Sequence, residues 1–261
     1  MKVRIIFLFL LLLKASFAEA QEILNPPVLP NKAFIPGEIL TFQVRYGFLV
    51  GGTTTLSLTE DKYHGKPVYH AFAIGQTTGL AEKIYGVKDI YESWFDMETN
   101  LPHKQVRDIH EGRYTHYNEV TYNRGNNTVN SKLTGVHKVP EKILDLASTF
   151  YYIRRIDFSK INKGDVILVN MFFSDELFPF RLRYMGKETI RTKFGKMSCL
   201  KICPVVEVGR MFKDQDDLTI WFTDDGNYLP ILVKMDIRIV GAVILKLMKY
   251  QNIANPLIIQ K

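Results

Sequence analysis

The densest group of chemically capable side chains lies at 105–118, where Arg107, Asp108, His110, Glu111, Tyr114 and His116 fall within one short stretch. Histidine beside carboxylates has the composition of a general acid–base pair or of a metal site. The run from His110 to Tyr114 begins as a zinc-protease helix does. Tyr114, however, stands where the second histidine is needed, and Gly112 opposes a helix. A hairpin turning at Glu111-Gly112 fits better, with Arg107 opposite His116. Strand alternation then puts His110 with Asp108, Thr115 and Tyr117 on one face, and His116 with Arg107, Ile109, Tyr114 and Val120 on the other. The histidines point apart, so they do not share a metal. The second face is the more apolar and is expected to be concave. There Arg107 and His116 would orient a ligand headgroup, with Tyr114 and Trp94 as aromatic walls. The competing reading is a cross-strand polar pair at a wet edge.

Other catalytic patterns fail. There is no Gly-x-Ser-x-Gly elbow and no phosphate-cradling Gly-x-x-x-x-Gly-Lys, and Asp214, Asp216 and Asp217 lack the glycine and terminal glutamate of a calcium loop. No metal and no cofactor is expected. The two cysteines, Cys199 and Cys203, lie in a stretch that reads as strand, about 13 Å apart at 3.3 Å per residue. A disulfide needs Cα atoms within roughly 7 Å. Two buried free thiols are therefore expected.

Charge is informative in one place. Arg181, Arg183, Lys187, Arg191, Lys193, Lys196 and Lys201 run through a stretch whose one acid is Glu188, and Asp214, Asp216, Asp217, Asp224 and Asp225 follow. The strip suits an anionic membrane surface, or else it pairs across strands with those acids.

The elements that position these residues are mostly strands. Leu40, Phe42, Val44, Tyr46 and Phe48 alternate with Thr41, Gln43 and Arg45, the half-buried strand pattern. Gly51-Gly52 is read as a reversal into 53–59. Further strands are expected at 68–74, 87–97, on both sides of Glu111-Gly112, and at 166–173, 178–185, 188–193, 197–207, 218–222, 229–239 and 242–250, with 77–85 ambiguous. Asp145 is an N-cap for one helix near 146–155, with Leu146, Phe150 and Ile153 at helical spacing. The expected fold is mainly β. About a dozen antiparallel strands form a meander curled into a barrel or half-barrel, or into two packed sheets, with that helix covering it.

The chain has 261 residues, with 46% hydrophobic and 23% charged residues, which excludes disorder, collagen and coiled coil. Lys2 and Arg4, the apolar run 5–13 and Ala18-Glu19-Ala20 form a secretory signal over 1–20, cleaved between Ala20 and Gln21. The apolar run is short of the about 20 residues a spanning helix needs. Losing Lys2, Arg4, Lys14 and Glu19 lowers the formal charge from +7 to +5, too dilute for nucleic acid. An extended lead-in (21–35), one domain (36–250) and a tail (251–261) are expected. So is export to the periplasm as a soluble protein that neither spans the membrane nor carries a lipid anchor, since no cysteine lies near the cleavage site.

Several segments together resemble one family. Phe34-x-Pro36-Gly37-Glu38-x-Leu40, Tyr46-Gly47 and Gly51-Gly52 resemble its opening hairpin. Asp89-x-Tyr91-x-Ser93 and Leu101-Pro102 continue it, and Asp145 to Arg154 is similar to its central helix. Ile220 to Asp225 with Leu229-Pro230 resembles its late hairpin. The family is the bacterial exported proteins catalogued as domain of unknown function 3108, and the resemblance spans about 34–250. It implies an exported β-rich protein and carries over no catalytic residue. The closest architectural analogy is the helix-closed curved sheet of LolA-like lipoprotein carriers, which assigns no function. The expected role is a non-enzymatic binder of an apolar or lipid-like envelope ligand. The alternatives are an envelope scaffold acting through a protein partner and a hydrolase-type enzyme using the 105–118 hairpin.

Overall fold

The computed structural model describes residues 20–207, 212–238 and 241–260. The expected leader, Ala20 apart, lies outside the described residues. The chain forms β1 (Glu22–Ile23), β2 (Ile39–Tyr46), β3 (Leu49–Tyr63), β4 (Lys66–Thr77), α1 (Leu80–Ile84), β5 (Val87–Asp96), β6 (Pro102–Glu111), β7 (Tyr114–Asn123), β8 (Thr128–Ser131) and β9 (Gly135–Lys138). Then follow α2 (Leu146–Ile153), β10 (Val166–Phe173), β11 (Glu176–Thr192), β12 (Gly195–Pro204), β13 (Leu218–Thr223), β14 (Pro230–Ile237) and β15 (Gly241–Gln251).

Among the described residues, all fifteen strands belong to one sheet, in the order β1-β10-β11-β12-β13-β14-β15-β2-β3-β4-β5-β6-β7-β8-β9. Two antiparallel meanders are thus joined where the last strand pairs with the second, Leu245 opposite Val44. The two edge strands, β1 and β9, do not pair with each other, so the fold is a half-barrel with an open seam. Among the described residues, β1 on β10 is the parallel pairing between strands, and the isolated Leu144–Met171 bridge is parallel as well.

Three expectations are corrected. The first reversal is at Gly47-Phe48, and Gly51-Gly52 lies inside β3. Gly52 is required there for close approach: a Cβ on it would sit 2.3 Å from the Gln76 carbonyl oxygen of β4. The segments 178–185 and 188–193 form one strand, bent by a bulge between Tyr184 and Lys187. Strands β8 and β9 were hidden by their polar composition, Thr-Val-Asn-Ser and Gly-Val-His-Lys.

The chain crosses from one sheet edge to the other through residues 139–165, which carry α2 into the concave side. Asp145 caps the helix: its carboxylate accepts from the Ser148 amide at 2.7 Å, and the Ser148 hydroxyl accepts from the Asp145 amide. Phe150 packs against three core clusters, centred on β10–β12, on β12–β15 with β2, and on β3–β5. Leu146, expected on the buried stripe, is 40% exposed and faces the seam instead.

Candidate functional site

The 105–118 hairpin is real, and its turn is Gly112-Arg113, with Glu111 opposite Tyr114. Arg107 therefore pairs with Asn118 and not with His116, which faces Ile109. The register differs from the expected one by two residues. Because side chains alternate with period two, each residue keeps its face. His110 pairs with Asp108 at 2.9 Å on the other face from His116.

Arg107 and His116 line one small cavity with Tyr91, Gln105, Asn118 and the β10–β11 turn. Its volume of about 20 Å³ suits a single water. Arg107 donates to the Ser174 hydroxyl at 2.7 Å and lies over the Phe173 ring, 5.0 Å from its centroid. Asn118 donates to Asp175 at 2.8 Å and to Ser131 at 3.0 Å. Both central turn residues, Ser174 and Asp175, are left-handed (φ 52° and 62°), a costly state for Ser. Arg107 and Asn118 hold that strained turn and draw the seam together. Burial raises the Tyr91 phenol pKa, opposed by the neighbouring Arg107 charge. His116 has no hydrogen-bonded partner among the described residues, and its ring stacks 6.4 Å from that of Tyr114, itself half exposed. Trp94 does not join this group. It sits on the opposite face of the sheet, stacked 4.2 Å from His70 and donating to Asp61 at 2.8 Å.

Ligand-sized space lies elsewhere along the seam. A cleft of about 630 Å³ runs between the β10 edge, the β5–β6 turn, the N-terminal segment and residues 140–144. That is the size range of small-molecule sites. Leu24, Val28, Leu101, Leu144, Tyr152 and Leu168 give it apolar wall. Arg155 and Lys142 are balanced by Glu98 and Glu141. Arg155 donates from Nε to the Leu29 carbonyl at 3.0 Å and from Nη1 to the Glu98 carbonyl at 2.6 Å and to Asn100. Its Nη2 makes no hydrogen bond among the described residues.

Backbone polarity adds to this wall. Along β10, Val166 N donates to Gln21 O, Asn170 O accepts from Leu144 N, and Phe172 N donates to Leu144 O. Even-numbered residues therefore direct their backbone groups to the seam. The β1 ladder ends at Ile23, and a bridge to Leu144 resumes pairing at Met171. Between them, the Leu168 carbonyl and the Asn170 amide have no backbone partner among the described residues.

A buried polar pillar backs the site. Arg154 and Glu38, both fully buried, pair through two hydrogen bonds of 2.6 and 2.8 Å. Arg154 also donates to the Asn227 and Ala33 carbonyls, and its guanidinium lies 5.2 Å from the Phe34 ring centroid. Asp145, also buried, accepts from Ser93 at 2.5 Å, and burial pushes its pKa up to about 6. Sequence reasoning missed this pillar. Its signals were Glu38 opening an apolar strand and Arg154-Arg155 ending a helix that has no other charge.

The basic strip is partly answered by acids. Arg181 lies 3.6 Å from Glu22, Arg183 2.5 Å from Asp216, and Lys187 2.7 Å from Asp224. Arg191, Lys193 and Lys196 have no carboxylate partner among the described residues. Cys199 and Cys203 are both buried and free. Burial pushes the Cys199 thiol up to about 12 and raises that of Cys203, so neither is a poised nucleophile.

No curated protein matches the chain. Among solved structures, a β-barrel-like protein of domain of unknown function DUF1849 from Brucella abortus is similar at a TM-score of 0.52 and 9% identity, over 88% of this chain and 99% of that one. A DUF1089 family protein from Pseudomonas aeruginosa aligns at a TM-score of 0.38 and 10% identity, over 68% of this chain and 87% of its own. A Bacteroides fragilis protein of YmcC-like fold aligns at 0.34 and 9% identity, over 87% and 100%. The first supports the barrel-like fold, and the other two superpose too loosely to bear on it. The family model of proteins of unknown function DUF3108 matches residues 41–248, most of the length, and the chain belongs to that family.

Proposed function

We propose that the chain is a non-enzymatic binder of an elongated apolar or lipid-like ligand in the envelope, held in the seam cleft. The observation that carries this reading is the pairing of ligand-sized volume with apolar walls at the one place where the sheet stays open. An acyl chain would lie against Leu101, Leu144 and Leu168. A polar head would meet Arg155 Nη2, Lys142 and the free backbone groups of Leu168 and Asn170. Balanced charge at the wall favours a zwitterionic or neutral head over a strongly anionic one. Arg107, His116 and Tyr114 then act as a secondary contact near the seam mouth, and export through the N-terminal signal places the protein where such ligands are found.

The test is titration of delipidated protein with a fluorescent fatty acid, alongside mass spectrometry of native co-purifying material. Leu168→Trp, which fills the cleft, is expected to weaken binding at least about tenfold, while Arg191→Ala, at an exposed position outside the cleft, leaves it nearly unchanged. No binding by the delipidated wild type would sink the reading.

The unpaired edge favours a second reading, in which an extended segment of a partner protein adds to β10 beside Leu168 and Asn170. Crosslinking from a photoreactive residue at 24 would then recover one protein partner and no lipid.

A further inference from the structure

The two ends of the half-barrel differ in chemistry. Strand directions place the β2–β3 turn, the β4–α1–β5 connection and the β6–β7 turn at one end. The turns at His64-Gly65, Glu98-Thr99, 124–127 and 224–227 lie at the other, and all four are polar. At these three tips the side chains are apolar and open to solvent, whereas the Ser174-Asp175 turn and the β12–β13 connection with Asp214, Asp216 and Asp217 put polar and acidic groups elsewhere along the same end. Phe48 is 85% exposed, Ile84 76% and Leu80 69%, with Leu49, Tyr85 and Tyr114 about half exposed. The tips are also tied sideways. Thr78 N donates to Gly51 O at 3.1 Å, Gly112 N to Gly86 O at 2.7 Å, and the Tyr85 hydroxyl to Glu111 O at 3.1 Å. The apolar groups thus stand on one braced rim.

Nothing among the described residues covers these side chains. None of the three most exposed residues belongs to the core, and α1 has no buried residue at all. The apolar side chains come in small groups, tip by tip, separated by backbone, which makes a row of pegs and not a groove for a helix or strand. Cations accompany them: Arg45, Lys83, Lys88 and Arg113 on or beside the same tips, against Glu82, Asp89 and Glu111. Burial and the neighbouring Asp89 charge raise the Glu111 pKa. Apolar pegs with aromatic members and cations beside them match the interfacial zone of an anionic bilayer.

We propose that this rim, and not the basic strip on β11–β12, docks the protein on an anionic lipid surface. The surface is separate from the cleft, so either assignment can fail alone. The test is flotation of the purified chain with phosphatidylcholine vesicles, with and without phosphatidylglycerol. Three proteins are compared: wild type, the rim variant Phe48→Ser/Leu80→Ser/Ile84→Ser, and the strip variant Arg191→Glu/Lys193→Glu/Lys196→Glu. All six positions are exposed, and matching far-UV spectra show that each variant folds. Wild type is expected to float with the anionic vesicles and to release in salt. The rim variant is expected to lose roughly a hundredfold in partitioning, while the strip variant stays within about threefold of wild type. Failure of the wild type to float overturns the proposal, as does a rim variant that floats like wild type. So does a rim-dependent dimer that forms in solution and ignores vesicles, because the occupant is then a second copy of the chain.

Discussion

Arg154 is the residue on which most of the interior converges. Its guanidinium joins α2 to Glu38 at the start of β2, to the Ala33 carbonyl and to the β13–β14 turn. Removing one partner strands a buried charge, so Arg154→Met is expected to cost about 3–5 kcal/mol, read as a fall in the denaturation midpoint. Glu38→Gln/Arg154→Met together should cost less than the sum of the single changes, because the double variant leaves no lone charge. Asp145 gives a pH signature. Its folded pKa of about 6 lies above its unfolded value, so the folded state holds the proton more tightly. The stabilisation is complete below the unfolded pKa of about 3.9 and is lost as pH rises through about 6. Wild type should therefore gain stability relative to Asp145→Asn between pH 7 and pH 4.5, measured as the difference in midpoint between the two proteins. A difference that is flat with pH would refute the raised pKa. The N-cap at Asp145 was legible from sequence. Its burial against Ser93 was not, because the two are 52 positions apart.

At the scale of elements, strand identity follows from alternation, and the reversals follow from backbone sterics. Two glycines in neighbouring strands make the contrast measurable. A Cβ at Gly52 would meet Gln76 O at 2.3 Å, whereas at Gly75 the nearest atom is the Thr54 hydroxyl at 3.6 Å. Gly52→Ala is therefore expected to lower stability by more than about 2 kcal/mol, with Gly75→Ala within about 0.5 kcal/mol of neutral, both read from urea titration. Gly51-Gly52 looked like a turn because paired glycines usually mark one. Here the pair lets two backbones approach, a contact visible only once β4 is beside β3. The hairpin at 105–118 shows the converse. Its turn was misplaced, yet the face of every side chain was read correctly, since the error was an even number of residues. Pro179 sits in long β11 opposite Asn170, where β11 turns its backbone groups away from β10, so its missing amide breaks no bond in that ladder.

For the whole molecule, the open seam organises the rest. Residues 139–165 must travel from the β9 edge to the β10 edge, and they place α2 inside and the cleft beside it. A ligand held there binds the folded state alone. At about a hundredfold excess over its Kd it should stabilise wild type by about 2.7 kcal/mol and Leu168→Trp by far less, as thermal melts would show. The sequence by itself determined the β meander, the capped helix and the family, because alternation, capping and turn chemistry act over a few neighbouring residues. It also assigned the faces that Arg107, His116 and His110 occupy. Tertiary structure alone decided that Trp94 faces away from them and that Arg107 braces a strained turn across the seam. It alone decided that a ligand-sized cleft lies against residues with no chemical signature, such as Leu101 and Leu168. The physical reason is distance along the chain. The β15–β2 pairing, the Glu38–Arg154 pair and the gap on β10 join segments more than 100 residues apart, and no local pattern encodes which edge is left unpaired.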